Sequence, residues 1–371
     1  MRLEGVELRR VRLPLVAPFQ TSFATETVRD ALLIRAVSEG VEGWGECVAG
    51  MEPRYSSEYV DGAQAVITRY LGPALLAEGN LTAETVAQVL APFTGHRMAK
   101  AALEMAVLDV QLRRQHTSLA SYLGATVDRV PSGVSVGIQP SLDDLVRVVG
   151  GYLDEGYVRI KIKIKPGWDI EPVRVLREAY GESVPLQVDA NSAYSLADAS
   201  IFRQLDAFGL LLIEQPLYED DIRLHAKLAA MISTPVCLDE SIVSARAAAD
   251  AIALGATSVI NIKPGRVGGY LEARRIHDLA VANGVAVWCG GMLETGIGRS
   301  ANAALAALPG FTLPGDISAS SRFYETDITA PVLLENGYVS VPQGPGIGVA
   351  PMADQLAAFS TQTAWLASAR L

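Results

Sequence analysis

Short apolar runs recur at a regular spacing from about residue 131 onwards, and this repeat limits the possible folds more than any other feature. The runs are rich in Val and Ile, lie about 25 residues apart, and are each followed by a helix-like segment, an alternation typical of a parallel sheet. They are GVSVGI at 133–138, VRIKIKI at 158–164, PLQVDA at 185–190, GLLLIEQP at 209–216, PVCLDE at 235–240, SVINIKP at 258–264, VAVWCGG at 285–291 and FTLPGD at 311–316. Eight such units predict an α/β fold, a closed (β/α)8 barrel of the TIM type. A doubly wound open sheet is the alternative, but no G-x-G-x-x-G motif supports it.

The first hundred or so residues follow a different pattern. A strand-like segment lies near residues 6–11, and the segments 31–38 and 41–48 are typical of a hairpin joined by a Glu-Gly turn. Apolar residues at helical spacing predict a helix from Arg97 to about Arg114. The predicted division of the chain is an α+β capping domain (1–130), the barrel (131–322) and a C-terminal segment that packs back on the capping domain (323–371).

Composition and charge narrow the class of function. The net charge of −10, with no basic stripe, disfavours binding to nucleic acid or to an anionic membrane. The N-terminus lacks the apolar run of a signal peptide, and no stretch reaches the roughly 18 apolar residues of a membrane span, so we expect a cytoplasmic protein. Cys47, Cys237 and Cys289 form no C-x-x-C pair and are expected to be buried free thiols.

Three carboxylates stand at the ends of three consecutive predicted strands. Asp189, Glu214 and Asp239 are equally spaced along the chain, and the carboxyl ends of barrel strands face the active site in this fold. Each one alone is as well explained as a helix N-cap. Three converging carboxylates repel one another unless a hard cation neutralises them, so the set predicts a site for Mg²⁺, with Mn²⁺ or another divalent cation as a substitute.

Lysines form a second group of polar residues at predicted strand ends. In the second strand, period-two alternation sends Arg159, Lys161 and Lys163 to one face. A solvated edge strand is the alternative, but an interior barrel strand carries such a row only where it faces a site. Lys263 follows the sixth strand, so Lys163 and Lys263 should face each other across the barrel mouth, with the three carboxylates between them.

This arrangement suggests proton transfer next to a carboxylate. One lysine would take the α-proton from one face of the substrate and the other would return it from the opposite face, while the cation stabilises the enolate. A lysine acting as base needs a pKa well below its usual value of about 10.4, which the metal and neighbouring lysines would provide. Arg266 either adds to this depression or is an exposed residue at a helix start.

Several motifs resemble those of the enolase superfamily, in its muconate-lactonising-enzyme subgroup. They are the K-x-K of Lys161 and Lys163, the three carboxylates, the Asp239-Glu240 pair and Lys263. A narrower resemblance covers almost the whole chain: segments such as YVRIKIKIKPGWDIEPVR, NIKPGRVGGYLEARR and VWCGGMLETGIGR look like the N-acylamino-acid racemase and o-succinylbenzoate synthase family. That family's pairing of a lysine base with Mg²⁺ is a known pattern.

The resemblance implies roles for individual residues. Lys163 and Lys263 would be the acid/base pair, Asp189, Glu214 and Asp239 the metal ligands, and the loops at 18–23 and 50–55 would close over the substrate. The residues implied to bind substrate or support the site are Ser135, Lys161, Asn191, Glu240, Arg266, Gly290, Gly291, Met292 and Glu294. An apolar pocket for a side chain or acyl group is predicted from Phe19, Phe23, Met51, Tyr55, Met292, Ile297 and Phe323, although core packing is the commoner role of such residues.

The activity implied is racemisation of N-acyl, in particular N-succinyl, α-amino acids, with a small carboxylate substrate and a homo-oligomeric, octameric assembly. A dedicated o-succinylbenzoate synthase, which uses the same residues for a syn-dehydration in menaquinone formation, is the main alternative. Dipeptide epimerase and muconate cycloisomerase are more distant, and the segment from Pro314 to Ser318 lacks the D-x-D by which dipeptide epimerases hold an α-ammonium group. A non-catalytic binding barrel would have lost a ligand or a lysine, and all are present.

Overall fold

The computed structural model describes residues 1–368. The strands are β1 (Gly5–Gln20), β2 (Thr25–Ser38), β3 (Val41–Cys47), β4 (Arg129–Pro131), β5 (Gly133–Val136), β6 (Arg159–Lys163), β7 (Leu186–Asp189), β8 (Ile213–Glu214), β9 (Val236–Leu238), β10 (Val259–Ile262), β11 (Ala286–Cys289), β12 (Tyr338–Ser340) and β13 (Ser360–Ala367). The α-helices are α1 (Val60–Val66), α2 (Gly72–Leu76), α3 (Ala83–Val89), α4 (Arg97–Arg114), α5 (Leu119–Leu123), α6 (Leu142–Asp154), α7 (Ile170–Tyr180), α8 (Ala199–Leu205), α9 (Ile222–Ala229), α10 (Ala245–Ala253), α11 (Pro264–Val267), α12 (Tyr270–Ala282), α13 (Gly296–Ala306) and α14 (Ala353–Phe359).

The strands β5 to β11 form a curled parallel sheet in which neighbours in the chain are neighbours in space. Each is followed by helical segments, so the predicted alternation and the barrel class are confirmed. The register sets polar residues side by side, because Lys163 pairs with Asp189, and Asp189 with Glu214. The sheet thereby aligns at one height the residues that the sequence places at separate strand ends.

The eighth predicted strand, at 311–316, is not a regular strand. Its backbone instead bridges the two edges of the sheet: the amide of Gly133 donates to the carbonyl of Gly315 at 2.8 Å, and the amide of Asp316 donates to Cys289 at 2.9 Å. Pro314 lacks an amide hydrogen and so cannot take part as a donor in a ladder. The segment therefore closes the barrel through isolated bridges and delivers Asp316 to its interior.

The N-terminal domain contains an antiparallel sheet in the order β13-β1-β2-β3. The predicted hairpin is present, with Ser38 opposite Val41, and the predicted helix is α4, from Arg97 to Arg114. Gly45 allows this helix to lie directly on β3, since a side chain there would collide with the carbonyl of Ala102. Strand β13 comes from the C-terminal segment and pairs with β1. The exact domain limits remain a prediction.

Two buried carboxylates join the N-terminal domain to the barrel helices. Glu104 on α4 accepts hydrogen bonds from the amides of Tyr270 and Leu271, at 2.8 and 2.9 Å, at the start of α12. Glu46 on β3 accepts from the amide and the hydroxyl of Thr295, at 3.0 and 2.7 Å, just before α13. Carboxylates at helix starts satisfy unpaired amides and the positive end of the helix dipole, so the two contacts fix the domain over the barrel.

No helix within residues 1–368 is both long enough and apolar enough to cross a membrane.

Candidate active site

Three lysines from two barrel strands converge in the barrel mouth. Lys161 and Lys163 lie on β6 and Lys263 follows β10, and their exposed fractions are only 2%, 7% and 6%. Arg159 lies on the same face of β6, and the isoleucines between these residues are buried among apolar side chains, as period-two alternation predicts. The edge-strand alternative is excluded, because β6 pairs with strands on both sides.

Each of the three predicted metal-binding carboxylates is paired with a lysine. Asp189 accepts a hydrogen bond from Lys163 at 2.5 Å. Glu214 accepts from Lys161 at 2.9 Å, and Asp239 accepts from Lys263 at 2.8 Å. All three carboxylates are buried, so the lysines supply the neutralisation that burial of negative charge requires.

The pairing shifts the pKa values of the groups in opposite directions. Burial raises the pKa of Asp189, but Lys163 and Lys161 outweigh it and hold the value at about 2. Burial lowers the pKa of Lys263, but Tyr55 and the acids around it, Glu214 foremost, outweigh that effect and hold it well above its usual range. Among the protein groups alone, these acids outweigh the effect of burial on Lys263. The sequence-based idea that the metal and the neighbouring lysines together lower the pKa of the base stays a prediction.

Asparagine side chains connect the charged groups. Asn191 accepts a hydrogen bond from Lys163 at 2.7 Å and donates to Glu240 at 2.9 Å. Asn261 donates to Glu214 at 2.7 Å. Burial, together with the negative charge of Asp189, raises the pKa of Glu240 to about 7. Hydrogen bonds are directional and charge attraction is not, so the two asparagines fix the orientations of Lys163, Glu240 and Glu214.

Arg266 is buried, which excludes the alternative of an exposed residue at a helix start; that it lowers the pKa of a lysine base stays a prediction. Its guanidinium contacts the carboxylate of Asp239. It also donates to the carbonyls of Ile242 and Asn261, at 3.0 and 2.7 Å. Arg266 thus shares Asp239 with Lys263, and it places a second positive charge beside that lysine.

Asp316 is a charged residue of the site that sequence reasoning did not assign. It forms ion pairs with Arg159 at 2.7 Å and Lys161 at 2.6 Å, and these cations hold its pKa well below its usual range despite burial. Both Arg159 and Lys161 also lie over the ring of Trp288, at 5.2 and 4.7 Å from its centre. The position of Asp316 at the end of the eighth apolar run was the available signal.

A cavity of about 590 Å³ lies above these groups, between the barrel mouth and the N-terminal domain. Among its lining residues are the predicted site residues Phe19, Phe23, Met51, Tyr55, Ser135, Lys161, Lys163, Asn191, Lys263, Gly291, Met292, Glu294 and Phe323. The lysine heads therefore face the cavity, whereas Asp189, Glu214 and Asp239 lie beneath them.

Some predicted residues lie outside this cavity. Ile297 is fully buried in the core and is not among the lining residues, because the start of α13 points it into the barrel wall. Gly290 packs behind the site, where any side chain would collide with Asn261 and Lys263. Glu240 and Arg266 lie beneath the cavity with the carboxylates. Ile297 is thus a core residue and not part of the apolar pocket.

A preformed cluster of metal ligands is not present in residues 1–368: no group of three or more His, Cys, Asp or Glu side chains is arranged to hold a metal ion. The lysine amines intervene, since Lys161 lies 3.5 Å from Asp189 and 2.9 Å from Glu214. The donor chemistry nevertheless fits a hard cation. One buried carboxylate oxygen, Oε2 of Glu240, accepts no hydrogen bond from the described residues, and every candidate ligand is a carboxylate.

The fold and the site define a class of protein, a (β/α)8-barrel enzyme with lysines and carboxylates at its strand ends. Two sequence families match the chain. The family described as "Enolase C-terminal domain-like" matches residues 144–355, and the "Mandelate racemase / muconate lactonizing enzyme, N-terminal domain" family matches residues 4–124. The chain belongs to this mandelate racemase and muconate lactonizing enzyme family of the enolase superfamily.

Individual relatives match over nearly their whole length. An N-succinylamino acid racemase of Amycolatopsis sp is 64% identical over 368 residues, which are 99% of this chain and 100% of the relative. An o-succinylbenzoate synthase of Geobacillus kaustophilus is 48% identical over 350 residues, 94% of this chain and 93% of the relative. A solved enolase-superfamily structure from Listeria innocua has a TM-score of 0.95 at 37% identity, and the match covers 100% of both chains.

Proposed function

We propose that the chain racemises N-acyl α-amino acids, with N-succinyl derivatives preferred, by moving the α-proton between the two faces of an enolate. The observation that carries this proposal is the pair Lys163 and Lys263, which come from strands four places apart and both line one cavity. Two bases facing one another are what inversion at a carbon requires. The 64% identical N-succinylamino acid racemase supports the choice of substrate.

The residues of the chain divide the reaction between them. One lysine, when neutral, removes the α-proton, and the other, when protonated, donates one to the opposite face. Asn191 and Asp189 hold the amine of Lys163, and Asp239 that of Lys263. Residues of the N-terminal domain line the cavity above the lysines, so a bound substrate would be partly shielded from water, which strengthens each electrostatic interaction with it.

Asp189, Glu214 and Asp239 would hold a divalent cation, Mg²⁺ by the chemistry of its all-oxygen ligands. When bound, such a cation stabilises the negative charge of an enolate formed from a carboxylate. It would also take over from the lysines the neutralisation of these buried carboxylates. The amines of Lys163 and Lys263 would then be free to exchange protons with the substrate.

The walls of the cavity support an acylated substrate with a second carboxylate. Apolar groups such as Phe19 and Phe323, whose rings meet edge to face at 5.9 Å, offer contacts to a substrate side chain. Arginines outnumber acids among the lining residues of the N-terminal domain, where the charged ones are Arg12, Glu26, Arg29, Glu52 and Arg54. A terminal carboxylate, as in a succinyl group, would find a cationic partner there.

The test is isotope exchange and optical rotation followed together. N-succinyl-L-phenylalanine is incubated with the protein and Mg²⁺ in deuterated water, and the α-proton is observed by NMR. We expect exchange with loss of rotation, abolished by chelation and by alanine at both Lys163 and Lys263. Lys165→Ala is the matched control, since Lys165 lies beyond the strand and should leave both signals unchanged. Absence of exchange in the unaltered protein contradicts the proposal.

A second candidate, o-succinylbenzoate synthase activity, is favoured by the 48% identical relative of that name. The same lysines and carboxylates serve a syn-dehydration, in which one lysine removes the proton and the other stabilises the intermediate as a cation. The exchange experiment separates the two functions: exchange with rotation retained indicates one working base and points to the synthase.

We further propose a cytoplasmic homo-oligomer, an octamer by analogy with the family. Support comes from large apolar side chains left exposed in the single chain, such as Tyr218 at 63% and Leu254 at 55%, which assembly would cover. Light scattering on the purified protein tests this, and a monomer at micromolar concentration would contradict it.

A further inference from the structure

Tyr55 reaches the barrel mouth from the N-terminal domain. It lies in the loop between β3 and α1, which is closed at its base by the amide of Val60 donating to the carbonyl of Gly50 at 2.8 Å. Met51 in this loop is 47% exposed, whereas Tyr55 is half-buried and lines the cavity. The loop is thus anchored at both ends and presents one aromatic side chain to the site.

The hydroxyl of Tyr55 joins one of the two lysines to a carboxylate beneath it. It accepts a hydrogen bond from the amine of Lys263 at 3.2 Å and donates one to Asp239 at 3.3 Å. The amine of Lys263 also lies 4.9 Å from the centre of the Tyr55 ring, within the range of a cation–π contact. Tyr55 therefore restrains the amine by two different interactions.

Lys163 has no comparable partner from the N-terminal domain among the described residues. Its hydrogen bonds go to Asp189 and Asn191, both of which belong to the barrel. Phe23, the other aromatic residue near Tyr55, packs against the Tyr55 ring with the centres 6.2 Å apart. The N-terminal domain is thus bound to one lysine of the pair and not to the other.

We propose that Tyr55 is a positioning residue for Lys263 alone, so that the seating of the loop between β3 and α1 controls one of the two proton transfers. This inference rests on the proposed two-lysine function. Proton transfer depends strongly on the placement of the acid or base. Loss of the Tyr55 hydroxyl removes one hydrogen-bond partner of the Lys263 amine. It therefore slows only the proton transfer that Lys263 performs.

The two faces can be measured separately. The enantiomer of N-succinylphenylalanine whose exchange is lost in Lys263→Ala reports the Lys263 face, and the one lost in Lys163→Ala reports the other face. Tyr55→Phe removes the hydroxyl and keeps the ring, whereas Tyr55→Leu removes both. We expect Tyr55→Phe to slow initial exchange on the Lys263 face about tenfold through kcat, Tyr55→Leu to slow it further, and the other face to change by less than about twofold.

Tyr70→Phe is the matched control, because Tyr70 is 54% exposed and packs against Phe93, away from the cavity. It should leave both faces unchanged. Equal slowing of both faces in Tyr55→Phe, or no slowing of either, overturns the positioning role while racemisation by the unaltered protein still stands. No exchange by the unaltered protein contradicts the proposed function itself, and with it the premise of this role.

Discussion

Lys161 links more buried acids than any other lysine described in the site. It pairs with Glu214 at 2.9 Å and Asp316 at 2.6 Å, and it lies 3.5 Å from Asp189. Lys161→Met would leave these buried carboxylates with too little positive charge, so we expect the free energy of unfolding to fall by about 3 kcal/mol. Urea unfolding measures it. Lys165→Met, in which the residue lost forms no ion pair within residues 1–368, is the control and should change little; equal effects of the two variants would contradict the central role of Lys161.

The thiols give a second prediction for single residues. Cys47, Cys237 and Cys289 are all fully buried, as the sequence suggested. Burial raises the pKa of Cys47 to about 12 and those of the other two well above their usual value. Because the thiolate is the reactive form, we expect the folded protein to resist a disulfide-exchange reagent at pH 8, while the urea-unfolded chain reacts at all three thiols. Rapid labelling of a thiol in the folded protein would disprove this.

What a single residue does was only partly predictable. Equal spacing along the chain identified Asp189, Glu214 and Asp239 as candidate site residues. Alternation within one strand identified Lys161 and Lys163. Both patterns can be read directly from the sequence. Their roles remain predictions. The contacts of Tyr55 with Lys263, and of Asp316 with Arg159, join distant segments through loops. No periodicity records such contacts, so they required the folded structure.

At the scale of elements, Glu104 couples α4 to α12. Burial raises its pKa to about 7 from the unperturbed 4.5, although the amides of Leu271 and Tyr270 lower it. The folded chain then retains a proton that the unfolded chain releases, so the free energy of unfolding falls as the pH rises from 4.5 to 7 and levels off above. The total change is about 3 kcal/mol.

Glu104→Gln removes this titration and any other effect of pH is common to both proteins. The difference in unfolding free energy between the unaltered protein and the variant should therefore shift by about 3 kcal/mol in favour of the variant between pH 4.5 and pH 8. Urea unfolding across that range measures the difference. A difference that is constant with pH would show that Glu104 does not carry the raised pKa.

Regular elements were more predictable than irregular ones. The hairpin of β2 and β3 and the helix α4 follow local patterns that need no tertiary information. The run at 311–316 has the apolar composition of a strand, but Pro314 interrupts its donors, and the barrel closes there by isolated bridges. Composition alone cannot distinguish a regular β-strand from a segment that forms only isolated bridges, which is why a regular eighth strand was wrongly predicted.

At the scale of the whole molecule, the two domains should unfold together. Glu46 and Glu104 join the N-terminal domain to the starts of α13 and α12, and α4 and barrel residues share buried apolar contacts. Separation of the two domains would take these two carboxylates and the helix amides that donate to them away from their hydrogen-bond partners. We expect one urea transition. Its midpoint should be the same whether the fluorescence of Trp44 in the N-terminal domain or of Trp288 in the barrel is followed, in variants that carry Phe at the other tryptophan positions. Different midpoints would show independent domains.

The layering of lysine heads above the buried carboxylates has a consequence for how a substrate arrives. A dianion such as an N-succinylamino acid meets positive charge only at close range, because the protein as a whole carries a net charge of −10 and repels it from afar. At physiological ionic strength, salt screens the repulsion between the substrate and charges more than about 8 Å away, but it weakens the attraction of the enclosed lysines much less. Moderate salt should therefore speed capture of the substrate, the reverse of the behaviour of enzymes that draw their substrates in by long-range attraction.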